Sequence, residues 1–211
     1  MHQERFDFVE QSETPGRLPM ADADVRYYPD FLSGNQAQDY FNRLSAQIAW
    51  RQEHIRLYGK LHLIPRLQAW YGEPDAAYRY SNLTMQPLRW IAPLAELKQL
   101  CEQHSASQFN SVLANLYRDG QDSMGMHADN EPELGSQPVI ASVSLGQPRV
   151  LIFVHQHTRQ RVKLPLASGS LLVMAGATQQ YWQHGISKQS QPMAARINLT
   201  FRRIITPPQA C

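Results

Sequence analysis

The stretch SMGMHADNE, residues 123–131, contains a histidine and an aspartate two positions apart, His127 and Asp129. Side chains two positions apart in an extended strand point to the same side of the sheet. An imidazole and a carboxylate on one side could chelate a metal ion, and a third ligand from a distant strand would leave about half of an octahedron open. His184, in QQYWQHGI, is the candidate for that third ligand.

A single HxD pair is a weak signal, because such pairs also occur in hydrogen-bonded turns that bind no metal. Three further histidines, His104, His155 and His157, fall at a predicted helix end and in a polar hairpin, where we do not expect metal ligands. Two histidines and one carboxylate with open coordination positions are typical of non-haem Fe(II) oxygenases. A zinc hydrolase could use the same three side chains, so the residues alone leave both chemistries open.

Residues 196–202, RINLTFR, read as a strand with one polar and one apolar face. The polar face would carry Arg196, Asn198, Thr200 and Arg202. A surface strand would show the same alternation, with its polar face in water. A dicarboxylate cosubstrate, in contrast, needs a planar and permanently charged group for its far carboxylate, and arginine suits that role better than lysine. Asn115 and Tyr117 alternate onto one face of SVLANLYRDG and could add neutral hydrogen bonds.

The composition indicates a globular protein and excludes several other classes. Of 211 residues, 43% are hydrophobic and 18% are charged, which is enough of both for a packed core with a polar surface. Two cysteines give neither a disulfide framework nor a CxxC metal pair. The formal net charge of +2 permits a polyanionic partner without arguing strongly for one. Since neither a membrane span nor a secretory signal pattern is visible, we expect a cytoplasmic protein that binds no membrane.

Two helices are predicted in the first half of the chain and strands in the second. Ser33 and Gln36 have the spacing of a capping box before an apolar helix face that runs from Tyr40 to Ile48. A second helix is predicted across residues 87–104, with a proline at its start. After Phe109, short apolar runs alternate with turn signals, and the candidate strands are SVLANLY, VIASVSL, RVLIFV, RVKLPL, SLLVMA and RINLTF. The predicted fold class is mainly β, a sandwich or jelly roll with flanking helices.

Taken in order, NLYRDGQDSMGMHADNE, SVSLG, GSLLVMAG, QHGISK and RINLTFR resemble the AlkB family of Fe(II)- and 2-oxoglutarate-dependent dioxygenases, which demethylate nucleic-acid bases. The resemblance covers roughly residues 58–202 and is closest to the branch that acts on double-stranded DNA. It implies a double-stranded β-helix, a variant of the jelly roll. It also implies that the protein uses Fe(II), 2-oxoglutarate and O₂.

The resemblance also implies how the chain is divided. We expect a single dioxygenase domain at residues 18–205, with a nucleotide-recognition lid at about 50–85 and a jelly-roll core at about 109–204. A loose N-terminal arm at residues 1–17 and a C-terminal tail at residues 206–211 would flank it.

Site residues follow from the resemblance position by position. The metal ligands, which are also the catalytic residues, would be His127, Asp129 and His184. Arg196 would bind the distal carboxylate of 2-oxoglutarate, and Asn115, Tyr117, Asn198, Thr200 and Arg202 would line the same pocket. The substrate-binding residues would be Tyr58, Lys60, Tyr78, Tyr80 and Glu131. In the lid, Tyr58, Trp70, Tyr71, Tyr78 and Tyr80 interleave with basic residues, which suits base stacking and phosphate contact. Without the resemblance, the same residues would be interpreted as half-buried aromatics of strands.

The implied activity is oxidative demethylation of N-alkylated bases in DNA, such as 1-methyladenine and 3-methylcytosine. Decarboxylation of 2-oxoglutarate would be coupled to methyl hydroxylation and formaldehyde release. Glu131 stands where some family members carry Asp, which leaves the base preference open. The alternatives are an oxygenase that acts on RNA or protein, and a noncatalytic protein that binds damaged nucleic acid. We expect alkylated DNA, with RNA as the alternative, to be the partner of a monomer.

Overall fold

The computed structural model of the protein describes residues 6–8, 16–57, 60–76, 78–80 and 83–205, with the backbone alone for residues 6–8, 55–57, 60, 78–80 and 83–85. The strands are β1 Phe6–Phe8, β2 Gly16–Arg17, β3 Asp24–Tyr28, β4 His54–Leu57, β5 Lys60–Leu63, β6 Leu67–Gly72, β7 Tyr78–Tyr80, β8 Leu83–Met85, β9 Ser111–Tyr117, β10 Met124–His127, β11 Ile140–Gly146, β12 Arg149–His155, β13 Arg161–Leu166, β14 Ser170–Ala175, β15 Trp182–Ile186 and β16 Arg196–Arg202. The helices are α1 Gly34–Gln47, α2 Ala92–Ser105 and α3 Thr178–Tyr181, with a 3₁₀ turn at Pro132–Leu134.

Two sheets form the core of the protein. The major sheet has the strand order β2-β3-β14-β11-β16-β9-β6, and the minor sheet has the order β1-β13-β12-β15-β10. Nearly all of these neighbours pair antiparallel, and the parallel pair is β1 with β13. Two hairpins, β4–β5 and β7–β8, stand apart from both sheets in the predicted lid region. The mainly β jelly-roll prediction is therefore confirmed.

Strand β16 shows why the two faces of the major sheet differ. Ile197, Leu199 and Phe201 belong to a core cluster with Leu44 of α1 and Leu97 of α2. Strand alternation turns the polar residues of β16 the other way, and all seven residues of the strand are buried. The surface-strand interpretation of RINLTFR is therefore wrong, because its polar face lies inside the protein.

Helix α1 begins where its capping box predicts. The Gln36 backbone N–H donates to Ser33 Oγ at 3.4 Å, and the Ser33 backbone N–H donates to Gln36 Oε1 at 3.0 Å. The prediction for α2 is wrong at its start, because the helix begins at Ala92 rather than at residue 87. The Leu88 N–H instead donates to Trp70 O at 2.9 Å, so the preceding segment runs along the edge of β6 and satisfies backbone groups there.

The six predicted strands all form, as β9, β11, β12, β13, β14 and β16. Strand β3 was not predicted, and it pairs with β14 in the major sheet.

Strands β1 and β2 fall within the predicted N-terminal arm, which is therefore not wholly irregular. The predicted tail, residues 206–211, lies outside the described residues, and the domain limits stay a prediction. None of the described helices could cross a membrane, since the longest has 14 residues.

The turn after β11 requires a glycine, and this gives a test of the packing of α1 on the major sheet. Gly146 has φ of +84°, and a Cβ there would lie 2.6 Å from Ala195 O and 2.7 Å from Phe41 Cε2. We expect Gly146→Ala to lower the free energy of unfolding by roughly 1–3 kcal/mol, measured by urea denaturation. Gly34→Ala is the control, because a Cβ at Gly34 meets nothing within 4 Å. Equal stability of both variants would contradict this account of the turn.

Candidate active site

Three predicted metal ligands converge between the two sheets. His127 is the last residue of β10 and lies opposite His184 of β15, with the two ring centroids 4.4 Å apart. His127 Nε2 is 3.9 Å from Asp129 Oδ1, and His184 Nε2 is 3.9 Å from Asp129 Oδ2. Within the described part of the chain, this is the one group of three such side chains whose ligand atoms all lie within 4.8 Å of one another.

The prediction that strand alternation places His127 and Asp129 on one side of a sheet is wrong. Strand β10 ends at His127, so Asp129 lies two residues beyond it and strand alternation does not orient its carboxylate. Two other side chains do so. Arg202 Nη2 donates to Asp129 Oδ1 at 2.7 Å, and the Asp129 backbone N–H donates to the side-chain oxygen of Gln179 at 2.9 Å.

Hydrogen bonding and burial prepare the ligand atoms for metal binding. His127 Nδ1 lies 2.9 Å from Gly125 O, and because a carbonyl can only accept, Nδ1 donates there and Nε2 is the ring nitrogen on the side of Asp129. Burial is the main cause that lowers the pKa of His184 to about 3, and the nearby charge of Arg202 lowers it further, so this imidazole is neutral near pH 7. Burial alone would raise the pKa of Asp129, but the charge of Arg202 holds it below its usual value.

The donor set fits Fe(II). One carboxylate and two imidazoles leave coordination positions open for a cosubstrate. Asp129 Oδ2 is buried and has no hydrogen-bond partner among the described residues, which is costly for a carboxylate oxygen unless a cation faces it. Two atoms that each lie about 2.0–2.2 Å from one ion are at most about 4.4 Å apart, so the 3.9 Å separations are within reach of a shared ion.

Arg196 is a buried cation that pairs with no carboxylate of the described residues. The residue is 1% exposed, and its Nη2 donates to Ser144 Oγ at 2.9 Å. No Asp or Glu of the described residues forms an ion pair with it, and its Nε and Nη1 have no hydrogen-bond partner there. Burial lowers the pKa of this guanidinium below its usual value. A charged group held in this way is strongly suited to bind a carboxylate.

The other predicted cosubstrate residues surround Arg196 or lie between it and the metal ligands. The guanidinium of Arg196 lies 5.1 Å from the centre of the Tyr117 ring. Asn115 Oδ1 accepts a hydrogen bond from Arg66 Nε at 2.7 Å. Asn198 Nδ2 donates to Ser142 Oγ at 2.8 Å, and Thr200 Oγ1 donates to Asn198 Oδ1 at 3.2 Å.

One cavity connects the metal ligands with Arg196. Polar side chains of β16 form one wall, and Leu113, Leu151, Leu166, Leu172 and Met174 contribute apolar surface. Its polar lining contains Asn115, Tyr117, His127, Asp129, Ser142, His184, Arg196, Asn198, Thr200 and Arg202. The structure therefore brings every predicted metal and cosubstrate residue to the same cavity.

The predicted substrate residues are less completely described. Tyr58 lies outside the described residues, and Lys60, Tyr78 and Tyr80 lie on hairpin strands of which the backbone alone is described. Glu131 is half-buried just before the 3₁₀ turn, and its Oε2 has no hydrogen-bond partner among the described residues.

Two of the aromatic residues assigned to the lid belong instead to the core, which corrects the predicted stacking surface. Trp70 is 2% exposed, and its Nε1 donates to Ala76 O at 3.0 Å. Tyr71 is 3% exposed, and its hydroxyl accepts from the Ala49 N–H at 3.0 Å.

Several residues around the cavity were not predicted from the sequence. Ser142 and Ser144 alternate in β11 opposite Thr200 and Asn198, and their polar pattern in an apolar strand was the signal available. Arg149 is 3% exposed, and its guanidinium lies 5.8 Å from the centre of the Tyr117 ring. It follows a turn, and no local sequence pattern indicated that it would be buried beside the cavity.

The histidines not expected to be ligands make other contacts. His155 is buried with its Nε2 3.3 Å from Asp22 Oδ2, and His104 Nδ1 lies 2.9 Å from Leu100 O.

Comparison with known proteins gives the class of this fold and site. The family model described as the 2OG-Fe(II) oxygenase superfamily matches residues 24–202. The solved structure of OsALKBH1 superposes with a TM-score of 0.59 at 16% sequence identity, covering 85% of this chain and 96% of that chain. This structural likeness supports the fold.

Curated relatives narrow the family. The alpha-ketoglutarate-dependent dioxygenase alkB homolog 3 of Rattus norvegicus is 40% identical over 195 residues, which cover 88% of this chain and 65% of that protein. The DNA oxidative demethylase ALKBH2 of Homo sapiens is 36% identical over 181 residues, which cover 81% of this chain and 69% of that protein. The chain thus spans about two thirds of the length of these relatives. It belongs to the 2-oxoglutarate- and Fe(II)-dependent oxygenase superfamily and, within it, to the AlkB family.

The proposed ligands can be tested by metal binding without turnover. We expect His127→Ala and Asp129→Ala to lose measurable Mn(II) binding in anaerobic calorimetry, because two remaining ligands cannot hold the ion against buffer. His157→Ala is the control, since His157 is exposed and lies on the β12–β13 turn. Circular dichroism should accompany the Asp129 variant, because removing one partner of the buried pair with Arg202 costs roughly 3–5 kcal/mol. Wild-type affinity in either ligand variant would remove this assignment.

Proposed function

We propose that the protein is an Fe(II)- and 2-oxoglutarate-dependent dioxygenase that oxidatively demethylates N-alkylated bases in DNA, such as 1-methyladenine and 3-methylcytosine. The single observation that carries the proposal is the pairing, in one cavity, of a His-Asp-His cluster with a buried arginine that lacks an anionic partner among the described residues. A zinc hydrolase would need the cluster but not the arginine. The similarity to the DNA oxidative demethylase ALKBH2 supports DNA as the substrate.

Each part of the cavity has a distinct task in this proposal. His127, Asp129 and His184 would hold Fe(II). Arg196 would bind the distal carboxylate of 2-oxoglutarate, and Arg202 keeps Asp129 ionised and oriented. When Fe(II) is bound, it supplies the oxygen activation that couples conversion of 2-oxoglutarate to succinate and CO₂ with hydroxylation of the N-methyl group. The hydroxymethyl base then releases formaldehyde and returns to its unmodified form.

The apolar wall of the cavity would exclude water from the reacting groups. Leu113, Leu172 and Met174 flank the polar row of β16 within the major sheet, and Leu151 and Leu166 line the cavity from the minor sheet. All five are at most 6% exposed. In such an environment the charge of Arg196 acts at full strength on a bound carboxylate, because little solvent screens it. Thr200 donates to Asn198, and Asn198 donates to Ser142, so the three side chains form a fixed polar surface beside the diacid.

Base recognition is assigned to the lid. Tyr78 and Tyr80 would stack on the extruded base, Tyr58 and Lys60 would contact the nucleic-acid backbone, and Glu131 would meet the base edge. Their position in or beside the two hairpins and the loop after Asp129 supports this assignment. We further propose that residues 18–205 form the catalytic domain and that the protein acts as a cytoplasmic monomer. DNA rather than RNA is the proposed substrate, with a preference for duplex.

A direct assay tests the activity. The full chain with fresh Fe(II) and 2-oxoglutarate should release succinate and formaldehyde from oligonucleotides that carry 1-methyladenine or 3-methylcytosine. Duplex DNA, single-stranded DNA, RNA and a methylated peptide should be compared side by side, with Asp129→Ala as the inactive control. Turnover on RNA or peptide alone would replace the DNA proposal. Absence of both products on every substrate, in protein shown to bind iron, would overturn the demethylase proposal.

Arg196→Lys tests the cosubstrate site. A point charge replaces a planar fork, so we expect the KM for 2-oxoglutarate to rise about 10- to 100-fold, as for loss of one charge-assisted hydrogen bond worth roughly 1.5–3 kcal/mol. Arg203→Lys is the matched control, because Arg203 follows the same strand but is exposed. An unchanged KM in Arg196→Lys, measured by succinate formation, would remove Arg196 from the cosubstrate site.

A further inference from the structure

Asp129 lies in a part of the chain that no β-ladder holds. Pairing between β10 and β15 includes Met124 with Ile186 and His127 with His184, and the register shifts between these two pairs. The ladder then ends, and residues 128–130 have no regular structure. The backbone of Asp129 therefore needs another partner to hold it in place.

That partner is the side chain of Gln179. The buried N–H of Asp129 donates to Gln179 Oε1 at 2.9 Å, and Gln179 itself is 2% exposed. Its amide nitrogen donates to Met174 Sδ at 3.6 Å. Because the Asp129 N–H can only donate, the oxygen of the Gln179 amide must face it, which fixes the orientation of the side chain. Gln179 thus replaces the ladder bond that Asp129 lacks.

Gln179 stands on a well-anchored turn. Its neighbour Thr178 donates from Oγ1 to Ala175 O at 2.6 Å and accepts from the Asp24 N–H at 3.0 Å. At the other end of α3, Trp182 Nε1 donates to Ala21 O at 2.8 Å. These bonds join α3 to β14 and to the segment around β3. Gln179 is therefore held in place independently of Asp129, so it can fix the position of the Asp129 backbone.

The same turn leads into the strand that carries His184. Gln179 precedes His184 by five residues, so its bond to Asp129 ties the loop carrying one proposed ligand to the segment carrying another. Arg202 holds Oδ1 of the Asp129 carboxylate, while Gln179 holds its backbone. With both points fixed, Oδ2 is left 3.9 Å from His184 Nε2 and without a hydrogen-bond partner among the described residues.

We infer that Gln179 is a positioning residue for the metal site, an inference that rests on the proposed function. It acts through Asp129 and does not itself contact the ion. Loss of the Gln179 acceptor leaves a buried N–H unpaired and lets residues 128–130 shift, so the three ligands no longer meet at one point. Loss of an outer partner of a metal ligand typically weakens metal binding by about 10- to 100-fold.

Gln179→Met removes the acceptor while keeping the length of the side chain, and Gln180→Met is the matched control at the next, exposed position. Two quantities are measured for each protein: the thermal midpoint without metal, and the Mn(II) dissociation constant by anaerobic calorimetry. We expect Gln179→Met to bind Mn(II) about 10- to 100-fold more weakly and Gln180→Met to match wild type. A lower midpoint with unchanged Mn(II) affinity would show a merely structural role and overturn the inference.

A second variant keeps the inference testable if Gln179→Met does not fold. Gln179→Glu is nearly isosteric and retains an oxygen acceptor for the Asp129 N–H in either ionisation state. We therefore expect it to bind Mn(II) within a few-fold of wild type, and a loss of 10-fold or more would contradict the role of the acceptor. Failure of wild-type protein to bind Mn(II) would instead reject the proposed function, so the two failures are distinguishable.

Discussion

The buried pair of Asp129 and Arg202 is the contact on which the rest of the site depends. Arg202 is the last residue of β16 in the major sheet, and Asp129 follows β10 of the minor sheet, so their 2.7 Å bond joins the two sheets beside the cavity. The bond keeps the carboxylate ionised despite its burial and fixes one of its two oxygens. The other oxygen then lies 3.9 Å from the Nε2 of His184. A buried pair of this kind is weak evidence for stability, but it gives a single geometry to the loop after β10.

The two-layer architecture explains how so many polar groups can be buried. Strand β16 is an inner strand of the major sheet, between β11 and β9. One of its faces is covered by α1 and α2 and the other by the minor sheet. Arg196 and Asn198 bond to Ser144 and Ser142 on the neighbouring strand, Thr200 bonds to Asn198, and Arg202 bonds to Asp129. Arg196 differs from Arg202 because its described contacts are neutral while its charge is buried. A cosubstrate carboxylate would complete this arrangement.

Much of the site could be predicted from the sequence because strand periodicity fixes which residues share a face. The alternation in RINLTFR correctly separated the cavity residues from those that pack on α1 and α2. The direction of Asp129 could not be predicted in this way, since it depends on Gln179 and Arg202, which are 50 and 73 positions distant. Arg149 was missed for a similar reason, because its contacts with Tyr117 and three backbone carbonyls are all long-range. Helix α2 starts late because the segment before it pairs with β6, a tertiary contact that overrides the local pattern.

In the proposed function, one ferrous ion and one keto diacid fill the two ends of the same cavity. This can be tested by a crystal structure of the full chain grown anaerobically with Mn(II) and 2-oxoglutarate. We expect an ion bound by His127, Asp129 and His184, with the keto acid end of 2-oxoglutarate on the ion and its far carboxylate on Arg196. An ion held by other residues, or a diacid bound away from Arg196, would contradict it.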